Sequence, residues 1–344
     1  MHTRFTFFLI VLFLISCKKE SPSPARTRAE VSVTPENWMR STLLKYSGQD
    51  IALADLAVPG SHDAGLYVTN LCSFGANSCN TQTQYLPMKQ QLEAGIRIFD
   101  LRPCLANGKY FTQHVTDCGG LGCKGDLLTN IFTQTNDFLN NHGELVIYHL
   151  THFCGMNYND SAFMNLLTRT FGDKIYKETS VSSIPFIQQP LRNIIPTSVN
   201  TGKVMLIFDD DVSNTATNRA NGLFAGSILP IQGGWTNSHS FADLKVRQLA
   251  NYADFVNDRN SLFQFSWQVT QDETQAITCF FSPTSQTSIE NMAIYANKQL
   301  PAILDTLIMN NDITKGRIPN IIYFDFADEA GTQQCLRLNS INLE

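Results

Sequence analysis

The chain has 344 residues, of which 43% are hydrophobic and 16% are charged, and its formal net charge is −5. That length and apolar content suffice for a packed core in one large domain or two small ones. No basic run extends beyond Lys18-Lys19, which argues against a nucleic-acid partner, because binding to a phosphate backbone needs clustered Lys and Arg.

The first residues are typical of an export signal. Arg4 is followed by a largely apolar run, Phe5 to Ile15, which is shorter than the roughly 20 residues that span a bilayer. The ending Leu14-Ile15-Ser16-Cys17 resembles a bacterial lipobox, in which the cysteine is diacylated and becomes the new N-terminus. We expect a signal peptide at residues 1–16 and a lipidated Cys17, in an exported protein anchored to the cell envelope, at the outer membrane. The alternative is an ordinary signal peptide with a chance cysteine.

The segment after the cysteine is polar, with Ser-Pro-Ser-Pro at its centre. Its composition predicts a flexible tether over residues 17–37. The rest, residues 38–344, shows no second linker and no repeat, so we expect a single folded domain. No extended heptad or apolar patch is visible, and we expect a monomer.

Apolar runs then alternate with longer amphipathic ones. The runs predict strands at Ile51–Val58, Ile96–Leu101, Leu145–Leu150, Val204–Phe208, Leu262–Trp267 and Ile321–Phe326, with weaker ones near Tyr110–Thr112 and Ile228–Ile231. The amphipathic segments predict helices at Pro87–Ala94, Leu127–Asn140, Ser161–Phe171, Phe241–Asn257 and Thr287–Met309. This alternation favours a parallel sheet, and at this length an α/β fold of the distorted (β/α) TIM-like barrel type, incompletely closed or irregular. A doubly wound open sheet is the alternative.

Eight cysteines remain after Cys17, an even number that suggests disulfides in an exported chain. Their spacing is irregular and includes no C-x2-C pair, which argues against zinc. We expect Cys72–Cys79 and Cys118–Cys123 to close local loops, although spacing alone does not fix connectivity.

Polar residues follow four of the predicted strands. In a barrel the carboxyl ends of the strands meet on one face, where active sites lie. Taken singly, each residue has a plain structural reading, such as a helix cap or a surface ion pair. Their joint placement predicts a site with two histidines, several carboxylates and an arginine: His62, Asp63, Asp100, Arg102, His114 and Asp325.

Two blocks of sequence resemble the catalytic X domain of phosphatidylinositol-specific phospholipases C. Pro59-Gly60-Ser61-His62-Asp63-Ala64-Gly65 is similar to the family's bacterial Pro-Gly-Thr-His-Asp-Ser-Gly, and Gln91–Arg102 is similar to its second strand. His114 lies where the second catalytic histidine is expected. The resemblance covers roughly residues 53 to 151 well and the rest loosely, apart from Ile321–Asp325. It implies a distorted (β/α) barrel and a bacterial, metal-independent phospholipase C.

The resemblance also implies a role for each residue. His62 would be the general base on the inositol 2-hydroxyl, and His114 the general acid on the leaving glycerol oxygen. Asp325 would orient His62, and Asp63 would support His114. Arg102 would stabilise the phosphoryl oxygens, with Asp100 positioning it. Phosphatidylinositol, or its glycosylated form, would yield diacylglycerol and inositol 1,2-cyclic phosphate. Histidine near neutral pH and a permanently charged guanidinium suit such chemistry.

Animal members of the family use calcium, whereas Arg102 stands at what resembles the metal-free position. We therefore expect no cofactor. The alternative is a calcium site on Asp63, Asp100 and Asp325, since hard cations prefer carboxylate oxygens.

The resemblance weakens where bacterial members carry a lysine and a second arginine for the headgroup. His149 and His152 stand in the first region, and the arginine is missing near Asn200–Lys203. The two histidines are expected either to bind the headgroup or to make structural hydrogen bonds. Two other functions stay open, a phosphodiesterase for another headgroup such as a glycerophosphodiester, and a non-catalytic surface-binding lipoprotein on the same barrel.

Overall fold

The centre of the fold is a curled sheet of eight parallel strands. The computed structural model describes residues 32–178, 183–209 and 212–344. The expected signal peptide, Cys17 and most of the tether lie outside these residues. Residues 32–344 cluster as one compact unit, and Pro35–Asn37, which we assigned to the tether, form a short 3-10 helix.

Eleven strands and ten α-helices are present in the described part of the chain. The strands are β1 (Val58–Ser61), β2 (Ile98–Leu101), β3 (Pro103–Ala106), β4 (Lys109–Val115), β5 (Gly122–Leu127), β6 (Leu145–Leu150), β7 (Lys203–Phe208), β8 (Leu223–Ala225), β9 (Ile231–Gly234), β10 (Leu262–Trp267) and β11 (Ile321–Phe324). The helices are α1 (Trp38–Lys45), α2 (Ser78–Thr81), α3 (Met88–Glu93), α4 (Leu128–Asn141), α5 (Ser161–Phe171), α6 (Ala216–Ala220), α7 (Phe241–Ala253), α8 (Glu273–Phe281), α9 (Ile289–Met309) and α10 (Glu329–Leu343).

The strands of the large sheet run in the order β8-β7-β6-β2-β1-β11-β10-β9, and every neighbouring pair is parallel. Among the described residues β8 and β9 do not pair with each other, so the barrel is open along one seam. The expected distorted (β/α) barrel is confirmed. No helix in the described ranges is long and apolar enough to cross a bilayer.

Alternate strand residues pack into two separate apolar layers, as the two-residue period of a strand requires. Ile98, Ile147 and Met205 belong to the cluster that includes Trp38 of α1. Phe99 and Tyr148 belong to the larger cluster, which contains the apolar faces of α4, α5, α7 and α9. The barrel therefore has a packed interior and an outer layer of helices, which makes a rigid support for groups at the strand ends.

A second, smaller sheet follows β2. It consists of β3, β4 and β5 in antiparallel order, and β4 carries His114. Our interpretation of Tyr110–Thr112 as a weak strand was right in type, but the strand does not belong to the barrel. The sheet packs tightly on the loop after β1, where a β-carbon added to Gly65 would lie 2.3 Å from the Thr112 hydroxyl oxygen.

Two strand predictions were wrong in position. Only the last residue of Ile51–Val58 is in β1, because Leu53–Asp55 form a 3-10 turn in which the Asp55 carboxylate accepts from the Ala52 amide at 3.0 Å. Such local side-chain bonds compete with strand pairing. Ile228–Ile231 is mostly a turn, and β9 begins at its last residue.

The disulfides differ from the two that we expected. The described residues contain Cys72–Cys123, Cys79–Cys279 and Cys118–Cys154, and Cys104 and Cys335 are buried there without a disulfide partner. The predicted pairs Cys72–Cys79 and Cys118–Cys123 were wrong because each cysteine bonds across the fold. Cys72, for example, lies in a loop that hydrogen-bonds alongside β5, through the Ser73 amide and the Gly122 carbonyl at 2.9 Å.

Candidate active site

The candidate site lies where three adjacent strands of the barrel end. β1 is hydrogen-bonded to β2 on one side and to β11 on the other. His62 and Asp63 directly follow β1, Asp325 directly follows β11, and Asp100 lies near the end of β2, two residues before Arg102. The carboxyl ends of parallel strands share one edge of the sheet, and this topology brings the predicted residues together.

His62 is held at both ring nitrogens. Its Nδ1 lies 2.7 Å from Asp325 Oδ1, and its Nε2 lies 3.0 Å from Arg102 Nη2. Its backbone is fixed as well, because the His62 amide donates to Phe324 O at 3.0 Å and the Gln84 side-chain amide donates to His62 O at 2.7 Å. About a fifth of the His62 side chain remains exposed.

Arg102 sits between two carboxylates. Its Nε lies 2.7 Å from Asp63 Oδ1, and its Nη2 lies 3.2 Å from Asp100 Oδ2. Asp63 is fully buried and has a left-handed backbone with φ of 43°. Burial on its own lowers the pKa of Arg102, but Asp63 and Asp100 outweigh that effect and raise the pKa above its ordinary value. The guanidinium is therefore a fixed, permanent positive charge.

The carboxylates also control the proton on His62. Burial favours the neutral ring, but Asp63 and Asp325 outweigh burial and raise the pKa of His62 to about 9. Burial raises the pKa of Asp100, but the charges of Arg102 and His62 dominate and lower it to about 2. The Arg102 contact instead favours the neutral ring of His62, because a guanidinium only donates hydrogen bonds and needs a lone pair on His62 Nε2. The neutral ring accepts from Arg102 at Nε2, whereas the protonated ring donates from Nε2 toward Asp63 Oδ2, which lies 3.4 Å away.

His114 faces His62 from the smaller sheet. The two ring centroids are 6.4 Å apart, with an angle of 71° between the rings. His114 Nδ1 lies 3.0 Å from the Thr81 carbonyl oxygen, which makes Nδ1 the protonated nitrogen and directs Nε2 elsewhere. Asp63 Oδ2 is farther, at 3.9 Å. The closest partner of His114 is therefore a backbone carbonyl, and the expected support from Asp63 is a longer-range one.

His149 and His152 lie at the end of β6, one strand beyond β2. His149 Nε2 is 3.4 Å from Asp209 Oδ1, and the hydrogen bond with His149 is the main cause that lowers the pKa of Asp209. His152 Nδ1 is 2.9 Å from the Thr151 hydroxyl, which in turn donates to Asp100 Oδ1 at 3.1 Å. His152 thus adjoins the main cluster through Thr151 and Asp100, and His149 lies opposite Asp100 on the neighbouring strand.

Several polar residues of the site were missing from the sequence prediction. Asp209 had a usable signal, because it directly follows the apolar run of β7, as Asp325 follows β11. Gln84 had none. Its amide bonds His62 O, Phe324 O and the Ala327 amide at 2.7, 3.1 and 2.9 Å, and so it joins the ends of β1 and β11. Such a long-range link is invisible in the local pattern.

The residue types that bind a hard cation are also present, and their fit can be tested. One ligand atom each from His62, Asp63 and Asp100 lies within 4.8 Å of the others. The Arg102 guanidinium contacts all three residues at 2.7 to 3.2 Å, so it already offsets part of the carboxylate charge and occupies the atoms that a cation would need. As arranged, this donor set fits a guanidinium better than a calcium ion.

No family model matches the chain. It is similar to PI-PLC X domain-containing protein 2 of Homo sapiens, with 28% identity over 185 residues that make up 48% of this chain and 59% of the human protein. It is also similar to PI-PLC X domain-containing protein 3 of Danio rerio, with 28% identity over 166 residues, 40% of this chain and 49% of that protein. The chain thus spans about half the length of the curated relatives that it matches.

Two solved structures have a similar fold over nearly the whole chain. The phosphatidylinositol-specific phospholipase C of Listeria monocytogenes superposes with a TM-score of 0.57 and 20% identity, over 89% of this chain and 99% of that one. That of Staphylococcus aureus superposes with a TM-score of 0.57 and 16% identity, over 92% and 99%. The chain therefore has the fold of the phosphatidylinositol-specific phospholipases C, and its sequence is similar to PI-PLC X domain-containing proteins over part of its length.

Proposed function

We propose that the chain is a phosphodiesterase of the phosphatidylinositol-specific phospholipase C type, acting on phosphatidylinositol or its glycosylated form. The observation that carries the proposal is the pairing of His62 and His114 across 6.4 Å, with the Arg102 guanidinium against His62 Nε2. Two imidazoles that face each other beside a fixed cation form an arrangement suited to an anionic group that must both lose and gain a proton.

In this mechanism the inositol 2-hydroxyl replaces Arg102 Nη2 as the donor to the Nε2 lone pair of His62, and His62 then removes the hydroxyl proton. The hydroxyl oxygen then attacks phosphorus, and the bond from phosphorus to the glycerol oxygen breaks. His114, which must enter the step as the imidazolium with protons on both nitrogens, keeps Nδ1–H on the Thr81 carbonyl and gives its Nε2 proton to that leaving oxygen, so the products are diacylglycerol and inositol 1,2-cyclic phosphate. Asp325 at 2.7 Å holds the Nδ1–H form of His62 and stabilises the imidazolium that forms. Slower hydrolysis of the cyclic product uses the two histidines in reversed roles.

Arg102 supplies positive charge for the phosphoryl oxygens during this transfer. Its side chain is held by Asp63 and Asp100, so it needs little reorganisation when the substrate arrives, and preorganised charge is a large contribution in such sites. Because the guanidinium already contacts both carboxylates and offsets part of their charge, we propose that the reaction needs no metal. We also propose that Cys17 is acylated and holds the enzyme at the envelope, with the tether allowing the barrel to reach lipid.

The test is turnover of a panel of phospholipids, with phosphorus NMR to detect a cyclic phosphate. We expect phosphatidylinositol to be cleaved with a transient five-membered cyclic phosphate. Cleavage of a different headgroup, for instance a glycerophosphodiester, would replace the substrate assignment, and no cleavage of any diester would favour a binding protein.

Histidine variants test the roles. His62→Ala and His114→Ala should each lower the rate by at least about 10²-fold while leaving the thermal unfolding midpoint close to that of the wild type. His142→Ala is the matched control, because His142 precedes β6 at the opposite end of the sheet and bonds to the Phe138 carbonyl at 2.9 Å. An unchanged rate in either site variant would remove that residue from the mechanism.

A further inference from the structure

Three cysteines of the chain meet beside the smaller sheet. Cys118 lies in the turn between β4 and β5 and forms a disulfide with Cys154, which lies four residues after the end of β6. Cys104 lies on β3 and has no disulfide partner. None of the three has a role in the proposed mechanism. A free thiol and a disulfide therefore occupy the same small region of the fold.

Cys104 and Cys154 are direct neighbours. They are partners in an isolated parallel β-bridge. In this bridge the Cys154 amide donates to the Pro103 carbonyl at 3.0 Å, and the Leu105 amide donates to the Cys154 carbonyl at 2.9 Å. Neighbouring strands lie about 4.8 Å apart, which falls within the roughly 4.4–6.8 Å that separates the Cα atoms of a disulfide. The backbone thus already has the spacing for a Cys104–Cys154 bond.

The contact between these two segments is close and buried. Cys104 is 2% exposed and Cys154 is 6% exposed. Gly155 has a left-handed backbone with φ of 67°, and a β-carbon added to it would lie 2.8 Å from the Leu105 carbonyl oxygen. Only glycine allows such an approach. Because burial keeps external thiols away from Cys154, the Cys104 thiol is the group best placed to attack its disulfide.

Cys118 differs from the other two cysteines because it is exposed. It lies four residues after His114, in a turn where the Thr116 amide donates to the Leu121 carbonyl at 2.9 Å. That hydrogen bond does not depend on the disulfide to Cys154. Release of Cys118 would therefore loosen the turn without unfolding the smaller sheet.

We propose that these cysteines form a thiol–disulfide exchange site, which makes Cys118 a switchable modification site and loosens the turn after His114. The Cys104 thiol loses its proton to solvent, and the thiolate attacks Sγ of Cys154. The Cys104–Cys154 bond forms, the Cys118–Cys154 bond breaks, and its electron pair leaves on Cys118, which takes up a proton. The numbers of thiols and disulfides do not change, so the step needs no external oxidant or reductant. Its product has a buried disulfide and an exposed thiol that small electrophiles can reach.

The two pairings close loops of similar length. The Cys118–Cys154 bond has a sequence separation of 36 residues, and a Cys104–Cys154 bond would enclose only the stretch from β3 to Cys118 in addition. Loop-closure entropy grows slowly with loop length, so it favours neither pairing strongly. A reagent that captures the Cys118 thiol should therefore draw the exchange forward. Since the thiolate is the attacking species, the exchange should become faster as the pH rises.

Peptide mapping of the folded chain tests the exchange. The full chain is incubated with iodoacetamide at mildly alkaline pH, quenched with acid at intervals and digested without reduction. In the wild type, a Cys104–Cys154 peptide should accumulate together with alkylated Cys118, in equal amounts. Neither product should form in Cys104→Ser. The matched control is Cys335→Ser, which removes the other buried cysteine without a disulfide partner among the described residues and should exchange as the wild type does.

The other two disulfides separate exchange from unfolding. Cys72–Cys123 and Cys79–Cys279 should stay intact throughout, and their loss at the same rate would show general scrambling and overturn the proposal. A single fixed pairing over the whole time course would also overturn it. Alkylation of the turn at the wild-type rate in Cys104→Ser would overturn it as well, because the release would then not depend on the Cys104 thiol.

Kinetics measure the effect on the proposed reaction, and this part rests on the proposed function. Cys118→Ser leaves only Cys104 to bond with Cys154, whereas Cys104→Ser keeps the described pairing. Cys118→Ser should lower kcat for phosphatidylinositol by about threefold to tenfold, because a looser turn after His114 positions the proposed acid less well. Cys104→Ser and Cys335→Ser should keep the wild-type kcat.

The two measurements fail separately. If the wild type cleaves no phosphatidylinositol, the proposed function fails, while the peptide mapping still decides on the exchange. Equal kcat values in Cys118→Ser and Cys104→Ser, in an enzyme that does cleave phosphatidylinositol, would overturn the coupling to His114.

Discussion

Asp325 should determine the pH of the acidic limb in the pH–rate profile of the proposed reaction. Its carboxylate lies 2.7 Å from His62 Nδ1 and is nearly fully buried, so its charge acts on the imidazole at close range. Asp325→Asn removes that charge and changes the shape of the side chain very little. The variant therefore isolates the electrostatic effect of the carboxylate on the proposed base.

The size of the effect follows from the shift on His62. Burial lowers the pKa of His62, yet Asp63 and Asp325 raise it from 6.5 to about 9, a preference for the imidazolium of about 3 kcal/mol. Since two carboxylates share this effect, loss of one should lower the pKa by about one unit or more. A lower pKa means that the neutral base is populated at lower pH, so the acidic limb of kcat/KM moves to lower pH. The maximal rate should fall by about 10²-fold to 10⁴-fold, because Asn stabilises the imidazolium less well.

The assay is kcat/KM for phosphatidylinositol between pH 5 and pH 10, since that parameter reports the ionisation of the free enzyme. We expect an acidic limb near the pKa of His62 in the wild type and a limb at lower pH in Asp325→Asn. Asp209→Asn is the control, because Asp209 contacts His149 and not His62. The acidic limb of the Asp209→Asn variant should therefore stay where it is in the wild type. A limb that stays in place in Asp325→Asn, or that moves to higher pH, would refute His62 as the titrating base.

Three further predictions concern the fold and the cofactor. Arg97 and Glu144 form a fully buried ion pair at 2.9 Å, and Arg97→Met should lower the free energy of unfolding by about 3–5 kcal/mol in a urea titration. The control is Arg247→Met, which breaks an exposed pair with Asp243 and should lower the free energy of unfolding by less than about 1 kcal/mol. Equal losses in the two variants would contradict the argument. Peptide mapping without reduction should find Cys72–Cys123, Cys79–Cys279 and Cys118–Cys154, and a Cys72–Cys79 peptide would show the described pairing to be wrong. A chelator should leave the rate unchanged, whereas a loss that added calcium restores would support the metal alternative.

The strands that are buried on both faces were predictable from sequence, because a continuous apolar run is the direct consequence of such burial. Leu145–Leu150 and Leu262–Trp267 were predicted with the observed bounds, and the helix Ser161–Phe171 likewise. The C-terminal helix α10 was not predicted, since much of its buried surface is polar. Its Asn339 bonds to both the amide and the carbonyl of Ala57, so long-range hydrogen bonds hold it in addition to the buried Leu338 and Leu343.

The site was predictable to the extent that topology places strand ends together. His62 and Asp325 follow adjacent parallel strands and Asp100 lies near the end of the next one, and the rule about carboxyl ends predicts their meeting without any knowledge of distances. His114 shows the limit of that rule. It reaches the site on an antiparallel strand outside the barrel, supported by a close approach at Gly65 and by disulfides that sequence spacing did not reveal.

The placement of Arg102 would explain how three carboxylates can surround the proposed site for an anionic substrate. Asp63, Asp100 and Asp325 together would repel a phosphodiester, and they also favour the protonated form of the proposed base. Arg102 opposes both effects, since its charge lowers the pKa of His62 and neutralises part of the carboxylate charge. In the described part of the chain its ion pairs and hydrogen bonds use Nε and Nη2, which leaves Nη1 to meet a phosphoryl oxygen. Under the proposed mechanism, one guanidinium thus keeps His62 able to accept a proton and attracts the group that supplies it.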